Sequence, residues 1–170
     1  MRPPLSLIAL LAAVLVAGAA YAQALYSPPE ADFSVAFPMP PTVVVRPAKR
    51  MSDVAVRRYV DQEASRAFVV TLEDYPQGDL PPSANGAVYD RIMRSHAEEV
   101  STELVSTRAV RLAGRPSLEG TFRDSDGNVE ILRVLMLPDR LIRLTYARAA
   151  GLEDPSGPEA FFASFKLASP

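Results

Sequence analysis

The chain contains no cysteine, a single histidine, and only two lysines among its 18 basic residues. Without cysteine, no disulfide, thiolate metal site or cysteine nucleophile can form. Acidic residues number 20, so the formal net charge is −2, and the chain lacks the positive field that nucleic-acid binding requires. We therefore expect a domain that is held together by ordinary core packing and has no nucleic-acid partner.

Motifs that carry common chemistries are also missing. The sequence has no Gly-x-Ser-x-Gly elbow, no His-Glu-x-x-His zinc motif and no glycine-rich phosphate loop. His96 and Glu99 form a His-x-x-Glu pair, but a catalytic zinc needs a third ligand and a serine hydrolase needs a serine beside its base. We interpret His96 as a structural side chain of a helix, with a general base as the alternative. We expect no catalytic residue, no metal site and no cofactor.

One segment superficially resembles a calcium loop: Asp124-Ser125-Asp126-Gly127-Asn128. An EF-hand loop needs glycine at its sixth position and glutamate at its twelfth, and here those positions hold Val129 and Leu135. The Asp126-Gly127 pair instead predicts a tight hairpin turn, joining strands near 118–123 and 129–137.

A long apolar run is present only at the start of the chain. Residues 5–17 are almost wholly apolar, Arg2 is the one charged residue among the first 22, and Ala20-Tyr21-Ala22 fits the pattern that signal peptidase cleaves. Residues 1–22 are therefore predicted to be a signal peptide that directs the protein to the periplasm or the extracellular space. An uncleaved N-terminal anchor is the alternative, because the run approaches the ~20 residues that span a bilayer. Only that alternative gives the protein a membrane contact.

The rest of the chain is predicted to form a mobile leader, residues 23–32, and a single globular domain, residues 33–167. Alternation of apolar and polar residues predicts strands near 33–37, 42–46, 54–61, 67–75, 104–112, 118–123, 129–137 and 141–148. Apolar residues at helical spacing predict a helix over 83–102, whose buried face carries Val88, Ile92, Met93, His96 and Val100.

Pro158 opens a second, short helix over 159–165, with Phe161, Phe162 and Phe165 as its core anchors. Because strands occur in runs with helices between them, the predicted class is α+β. The predicted architecture is a mostly antiparallel sheet of six to eight strands, packed with one long central helix and a short C-terminal helix.

Basic residues are concentrated in one part of the sequence: Arg46, Lys49, Arg50, Arg57 and Arg58. If neighbouring strands bring them together, they could hold an anionic ligand. Arg57 and Arg58 point to opposite faces of a strand, so at most one of them joins such a patch. The alternative is that these charges are solvated and protect a sheet edge from aggregation. Arg58 and Arg133 lie among apolar neighbours and are candidates for pairing with a carboxylate such as Glu119 or Glu130.

Three segments carry a resemblance to a known class. Phe33-Ser34-Val35-Ala36-Phe37-Pro38 opens the domain, Leu112-Ala113-Gly114-Arg115-Pro116 precedes the strands that end near residue 146, and Ala160-Phe161-Phe162-Ala163-Ser164-Phe165-Lys166-Leu167 closes it. This order resembles the Mog1/PsbP-like class of small secreted bacterial domains. The resemblance implies an antiparallel sheet packed between helices, and members that bind proteins or support larger assemblies. It transfers no catalytic residue, and the single histidine argues against a metal-binding role.

The first functional hypothesis is a non-catalytic module that binds a protein partner in the cell envelope or assists assembly, which a broad exposed apolar patch would favour. The second is a binder of a small apolar or anionic ligand between sheet and helix, through a patch of Arg58, Tyr59 and Tyr146. The third is an uncharacterised hydrolase, which a deep cleft with two facing carboxylates would favour.

Overall fold

The computed structural model describes residues 24–50, 53–76, 79–80, 86–154 and 156–168. Within these ranges the chain forms ten strands in antiparallel sheets and two helices, which confirms the predicted α+β class. In chain order the elements are β1 (Ala24–Tyr26), β2 (Phe33–Phe37), β3 (Thr42–Arg46), β4 (Ala55–Gln62), β5 (Arg66–Asp74), α1 (Gly86–Val100), β6 (Glu103–Leu112), β7 (Arg115–Arg123), β8 (Val129–Met136), β9 (Arg140–Arg148), α2 (Gly157–Ser164) and β10 (Lys166–Leu167). The predicted signal peptide, residues 1–22, lies outside the described residues.

Seven strands form one large antiparallel sheet in the order β3-β4-β5-β9-β8-β7-β6. Strands β7, β8 and β9 are consecutive and form a meander. Its first turn is the predicted hairpin, in which Gly127 has a φ of 82° and donates its backbone N–H to the carbonyl of Asp124 at 3.1 Å. Positive φ at this position is what favours glycine. The order in the sheet departs from the order in the chain where β5 pairs along its full length with β9.

The two faces of the large sheet pack against different layers. The face that we call the α2 face carries Tyr59, Phe68, Leu144 and Tyr146, which are buried beneath α2 and the small sheet β1-β2-β10. The opposite face, the α1 face, buries a second cluster beneath α1: Phe122, Leu132, Val134 and Leu141. The aromatic anchors predicted in α2 are confirmed, because Phe161, Phe162 and Phe165 are all buried in the first cluster.

Helix α1 packs mainly over β6 and β7, it also covers Leu132, Val134 and Leu141 of β8 and β9, and it leaves the part of the α1 face on β3 and β4 largely uncovered. Its buried residues are Tyr89, Met93 and His96, whereas the predicted face also included Val100, which is exposed. Gly120, on β7, lacks a side chain and allows Met93 to approach the sheet closely. A Cβ built on Gly120 would lie 2.9 Å from the Met93 sulfur. The predicted start of the helix, residues 83–85, lies outside the described ranges.

The small sheet contains the strands that the sequence did not predict. Strands β1 and β10, with three and two residues, are too short to show alternation, and both pair with β2. Residues 24–26 were expected in a mobile leader, but the structure pairs them with β2. The ring of Tyr26 lies 5.8 Å from that of Tyr59, so this segment also covers part of the core.

Candidate functional site

The structure does not bring Arg58, Tyr59 and Tyr146 together as one patch. Tyr59 and Tyr146 are completely buried on the α2 face. Arg58 is exposed and lines a cleft on the opposite face, because successive residues of β4 alternate between faces. The Tyr146 hydroxyl donates a hydrogen bond to Asp154 Oδ2 at 2.8 Å, and the Tyr59 hydroxyl is buried without a partner. Burial raises the pKa of both tyrosines, which therefore stay neutral core residues at physiological pH.

The cleft that contains Arg58 lies between α1 and the uncovered part of the α1 face. It has a volume of about 510 Å³. We call it the arginine cleft, after Arg46, Arg58 and Arg143, which line it together with Glu73, Glu99, Tyr75, Val44, Val54 and Val56. A smaller cavity of about 170 Å³ shares Arg58, Glu99 and Arg143 with it and extends to His96 and Glu130.

Strand register places the three arginines on one face. Val44 is opposite Arg58, Arg58 is opposite Thr71, and Thr71 is opposite Arg143. Arg46 is opposite Val56, two residues from Arg58 on β4, so Arg46 and Arg58 are diagonal neighbours. Residues in this relation lie about 7–8 Å apart. The cleft therefore brings together arginines from the consecutive strands β3 and β4 and from β9, which is distant in sequence.

Only Arg143 among these arginines is paired. Its Nη2 donates a hydrogen bond to Glu73 Oε2 at 3.5 Å, and its Nη1 lies 3.8 Å from Glu99 Oε2. Its buried Nε is 3.1 Å from Glu73 Oε1, but the two atoms do not make a hydrogen bond. Across the described ranges, neither Arg46 nor Arg58 makes an ion pair.

The carboxylate of Glu73 is already shared. Besides Arg143, it accepts a hydrogen bond from the Tyr75 hydroxyl at 3.0 Å. Burial, with the nearby Glu73 charge, raises the pKa of Tyr75 to about 12, so this hydroxyl remains a donor. Glu73 and Glu99 both lie against Arg143, so Arg46 and Arg58 have no carboxylate partner among the described residues, and the cleft lining as a whole holds three arginines and two glutamates.

His96 lines the smaller cavity, and its ring contacts Glu130 and Phe122. Its Nε2 donates to Glu130 Oε1 at 2.6 Å, its ring meets Phe122 edge-on at 5.0 Å, and its buried Nδ1 has no partner. Glu99, the other member of the His-x-x-Glu pair, lies near Arg143 instead. In the described part of the chain no hydroxyl makes a hydrogen bond to His96, and no group of three or more His, Asp or Glu side chains could hold a metal ion. Among the described residues the His96–Glu130 pair therefore has no hydroxyl in hydrogen-bond contact with it, which is the contact that activates a serine or threonine nucleophile.

The remaining candidate basic residues have other surroundings. Arg57 donates to Asp74 Oδ2 at 2.9 Å, so of the adjacent pair only Arg58 faces the cleft. Lys49 and Arg50 follow β3, and their backbone N–H groups donate to Asp53 Oδ2. Arg133 pairs with Glu119 as the sequence suggested, and its guanidinium also lies 4.3 Å from the centre of the Phe162 ring.

A second depression, of about 430 Å³, lies at one end of the large sheet near the β4–β5 turn. Its cations already have partners. Arg66 pairs with Glu63 and Asp154, and Arg148 donates to the carbonyl of Leu152. Asp124 accepts hydrogen bonds within its own turn, from Asp126 and Asn128. This depression offers a ligand fewer unpaired groups than the arginine cleft does.

Neither the models of protein families nor the curated proteins include a match to the chain. No helix in the described ranges combines the length and the apolar character needed to cross a bilayer.

Proposed function

We propose that the protein is an exported, non-catalytic binding domain that holds an anionic group in the arginine cleft. The observation that carries this proposal is the pair Arg46 and Arg58, which line a concave surface of about 510 Å³ and have no carboxylate partner among the described residues. Like charges on diagonal neighbours repel one another, and an anion between them would remove that repulsion. The guanidinium fork is suited to carboxylates and phosphates.

The lining of the cleft favours a ligand that is not purely ionic. Val44, Val54 and Val56 provide apolar surface beside the arginines, and Tyr75 adds a hydroxyl. Sites for small ligands commonly combine such an apolar lining with a few convergent polar groups. The ligand chemistry that fits is a carboxylate or phosphate carried on an apolar or extended body.

Titration calorimetry with pyrophosphate and with citrate tests the proposal. We expect Arg58→Gln to weaken the binding of these probes about tenfold or more, because hydrogen bonds to charged groups contribute about 1.5–3 kcal/mol. Arg123→Gln is the matched control, since Arg123 is exposed on β7, outside the cleft, and its substitution removes the same charge. Equal affinities for the wild type and Arg58→Gln, or equal losses in both variants, would contradict the proposal.

The fold proposal is that the domain belongs to the Mog1/PsbP-like class. It is supported by the large antiparallel sheet with α1 on one face and α2 on the other. A location in the periplasm or the extracellular space is proposed with it, on the strength of residues 1–22.

A protein partner is the second candidate function, and it is favoured by a different observation. Val43, Val44 and Val45 are 39%, 54% and 59% exposed on the edge strand β3, next to the arginine cleft. The hydrolase hypothesis receives no comparable support, because Glu73 and Glu99 are both engaged by Arg143.

A further inference from the structure

Strand β3 is an edge of the large sheet, and every one of its five residues is exposed. It pairs with β4 on one side only, so half of its backbone N–H and C=O groups face outward. From Thr42 to Val45 it has no charged residue and no proline to discourage a further strand.

The opposite edge of the same sheet, β6, is built differently. It carries Glu103, Arg108 and Arg111, and its register shifts between Leu104 and Ser106. Charges and irregularities of this kind are the usual means by which an edge strand is protected from pairing. Of the two edges, β3 is therefore the one that is open to another strand.

We propose that an extended acidic segment of a partner protein adds to β3 as a further strand, and that its carboxylates are the anions held by Arg46 and Arg58. The proposal rests on the anion-binding role of the arginine cleft and names the class of ligand. Strand addition satisfies the outward-facing backbone groups of an edge, while side chains that alternate between faces provide specificity.

The geometry of β3 specifies the side-chain pattern of the added strand. Val44 and Arg46 share the α1 face with Arg58, whereas Val43 and Val45 face the other way. Acidic residues at alternate positions of the partner would lie on the α1 face, where a cross-strand pair brings Cβ atoms within about 5 Å of one another. Apolar residues at the intervening positions would lie beside Val43 and Val45.

Charge argues against two other occupants. A second copy of the chain that paired through β3 would bring its own Arg46, Lys49 and Arg50 to a surface that is already positive. Residues 1–22 of the chain itself contain Arg2 and no acidic residue. Complementarity therefore selects an acidic segment of a different protein.

Synthetic strands test this directly on the full-length protein. The probe is an end-capped peptide of alternating valine and glutamate, used at concentrations at which it is monomeric, and compared with a peptide of alternating valine and lysine. We expect the glutamate peptide to bind at least about tenfold more tightly, because its charges meet arginines while those of the lysine peptide meet like charges. Hydrogen exchange at β3 should slow at every second residue, because only alternate amides face the free edge. Exchange that slows at β6 instead would overturn the proposal.

Val45→Asp separates strand addition from the binding of free anions. Val45 lies on β3 but on the face away from the arginines, and Val105, 51% exposed on β6, provides the matched control Val105→Asp. We expect Val45→Asp to weaken binding of the glutamate peptide about tenfold and to leave pyrophosphate affinity unchanged, while Val105→Asp changes neither. If pyrophosphate binds and the peptide leaves β3 exchange unchanged, strand addition is wrong and the anion site stands. If neither probe binds, both proposals are wrong.

Discussion

Arg57 and Arg58 are adjacent in the chain and carry the same charge, but the structure gives them different surroundings. Arg57 faces the α2 side and donates to Asp74 and to the carbonyl of Glu30. Arg58 faces the α1 side and has no ion pair among the residues that the structure describes. The difference follows from the alternation of side chains along a strand. For these two arginines, the face of the sheet determines which partners the side chain has, because their charge is the same.

Glu119 is the residue at which charge should most strongly affect stability. It is 5% exposed and accepts hydrogen bonds from Arg108 Nε at 2.5 Å and Arg133 Nε at 2.6 Å. Burial by itself would raise the pKa of Glu119, but the two arginines outweigh it and hold the pKa below its ordinary value of 4.5. A lowered pKa stabilises the fold above pH 4.5, and this stabilisation is lost as pH falls through the folded-state pKa.

We therefore expect Glu119→Gln to lower the free energy of unfolding by about 3 kcal/mol at pH 7, because it leaves Arg133 buried with a weakened partner set. The deficit should shrink as the pH falls from 4.5 through the lowered folded-state pKa, because the wild-type carboxylate then becomes protonated in the folded protein as well. Urea unfolding at pH 7 and at pH 3 measures both effects. Glu159→Gln is the control, since Glu159 is 59% exposed and its pairing with Arg133 should contribute less than about 1 kcal/mol. A deficit that does not change with pH would contradict this interpretation.

At the scale of elements, the position of α1 depends on a missing side chain in β7. Gly120 faces the helix, and a Cβ there would lie 2.9 Å from both the Met93 sulfur and a ring carbon of Phe122. Met93 and Phe122 are both fully buried, so there is little room for them to move. The uncovered part of the α1 face, and with it the arginine cleft, exists because the helix is anchored over β6 and β7.

Gly120→Ala should destabilise the fold by about 1–3 kcal/mol through overpacking of this contact. The double variant Gly120→Ala with Met93→Ala should lose less than the sum of the single variants, because the shorter side chain removes the close contact with Met93 and leaves only the one with Phe122. Thermal unfolding of the four proteins completes the cycle. Gly86→Ala is the control, since nothing lies within 4 Å of a Cβ at that position. Strict additivity would show that Gly120 and Met93 do not interact as described.

At the scale of the whole molecule, the two faces of the large sheet are covered to different extents. The α2 face is covered by α2 and the small sheet, and it contains most of the aromatic core. The α1 face is covered only in part, and the free edge β3 borders the uncovered part. The proposed binding site therefore lies on the less covered side of the sheet.

The export prediction also concerns the whole molecule. We expect the mature protein to begin at Gln23, because Ala20-Tyr21-Ala22 fits the cleavage pattern of signal peptidase. Intact-mass measurement of protein recovered from the cell envelope provides the test. A mass that still includes residues 1–22 would support the uncleaved anchor instead.

Much of the fold was predictable because it depends on local patterns. Alternation in β5 correctly places Phe68, Val70 and Leu72 on one buried face, and Asp126-Gly127 correctly predicts a turn. The buried face of α1 was predicted correctly at Met93 and His96, but Tyr89 was missed and Val100 is exposed. Tyr89 is buried because it packs in one cluster with residues of β7, β8 and β9, and spacing within the helix does not specify those neighbours.

The candidate site was predictable only in part, at Arg46 and Arg58, which the sequence already grouped as possible ligands of an anion, whereas Arg143 was not predicted. The sequence alone determined that Arg57 and Arg58 face opposite ways, that the domain mixes strands with two helices, and that no cysteine chemistry is available, because each of these depends on composition or neighbouring residues. Tertiary structure decided that Arg58 joins Arg46 and Arg143 rather than Tyr59 and Tyr146, and that β3 is left as a free edge. The physical reason is that alternation along a strand determines which side chains share a face. The neighbours of that strand in the sheet are instead selected by packing between residues far apart in the chain.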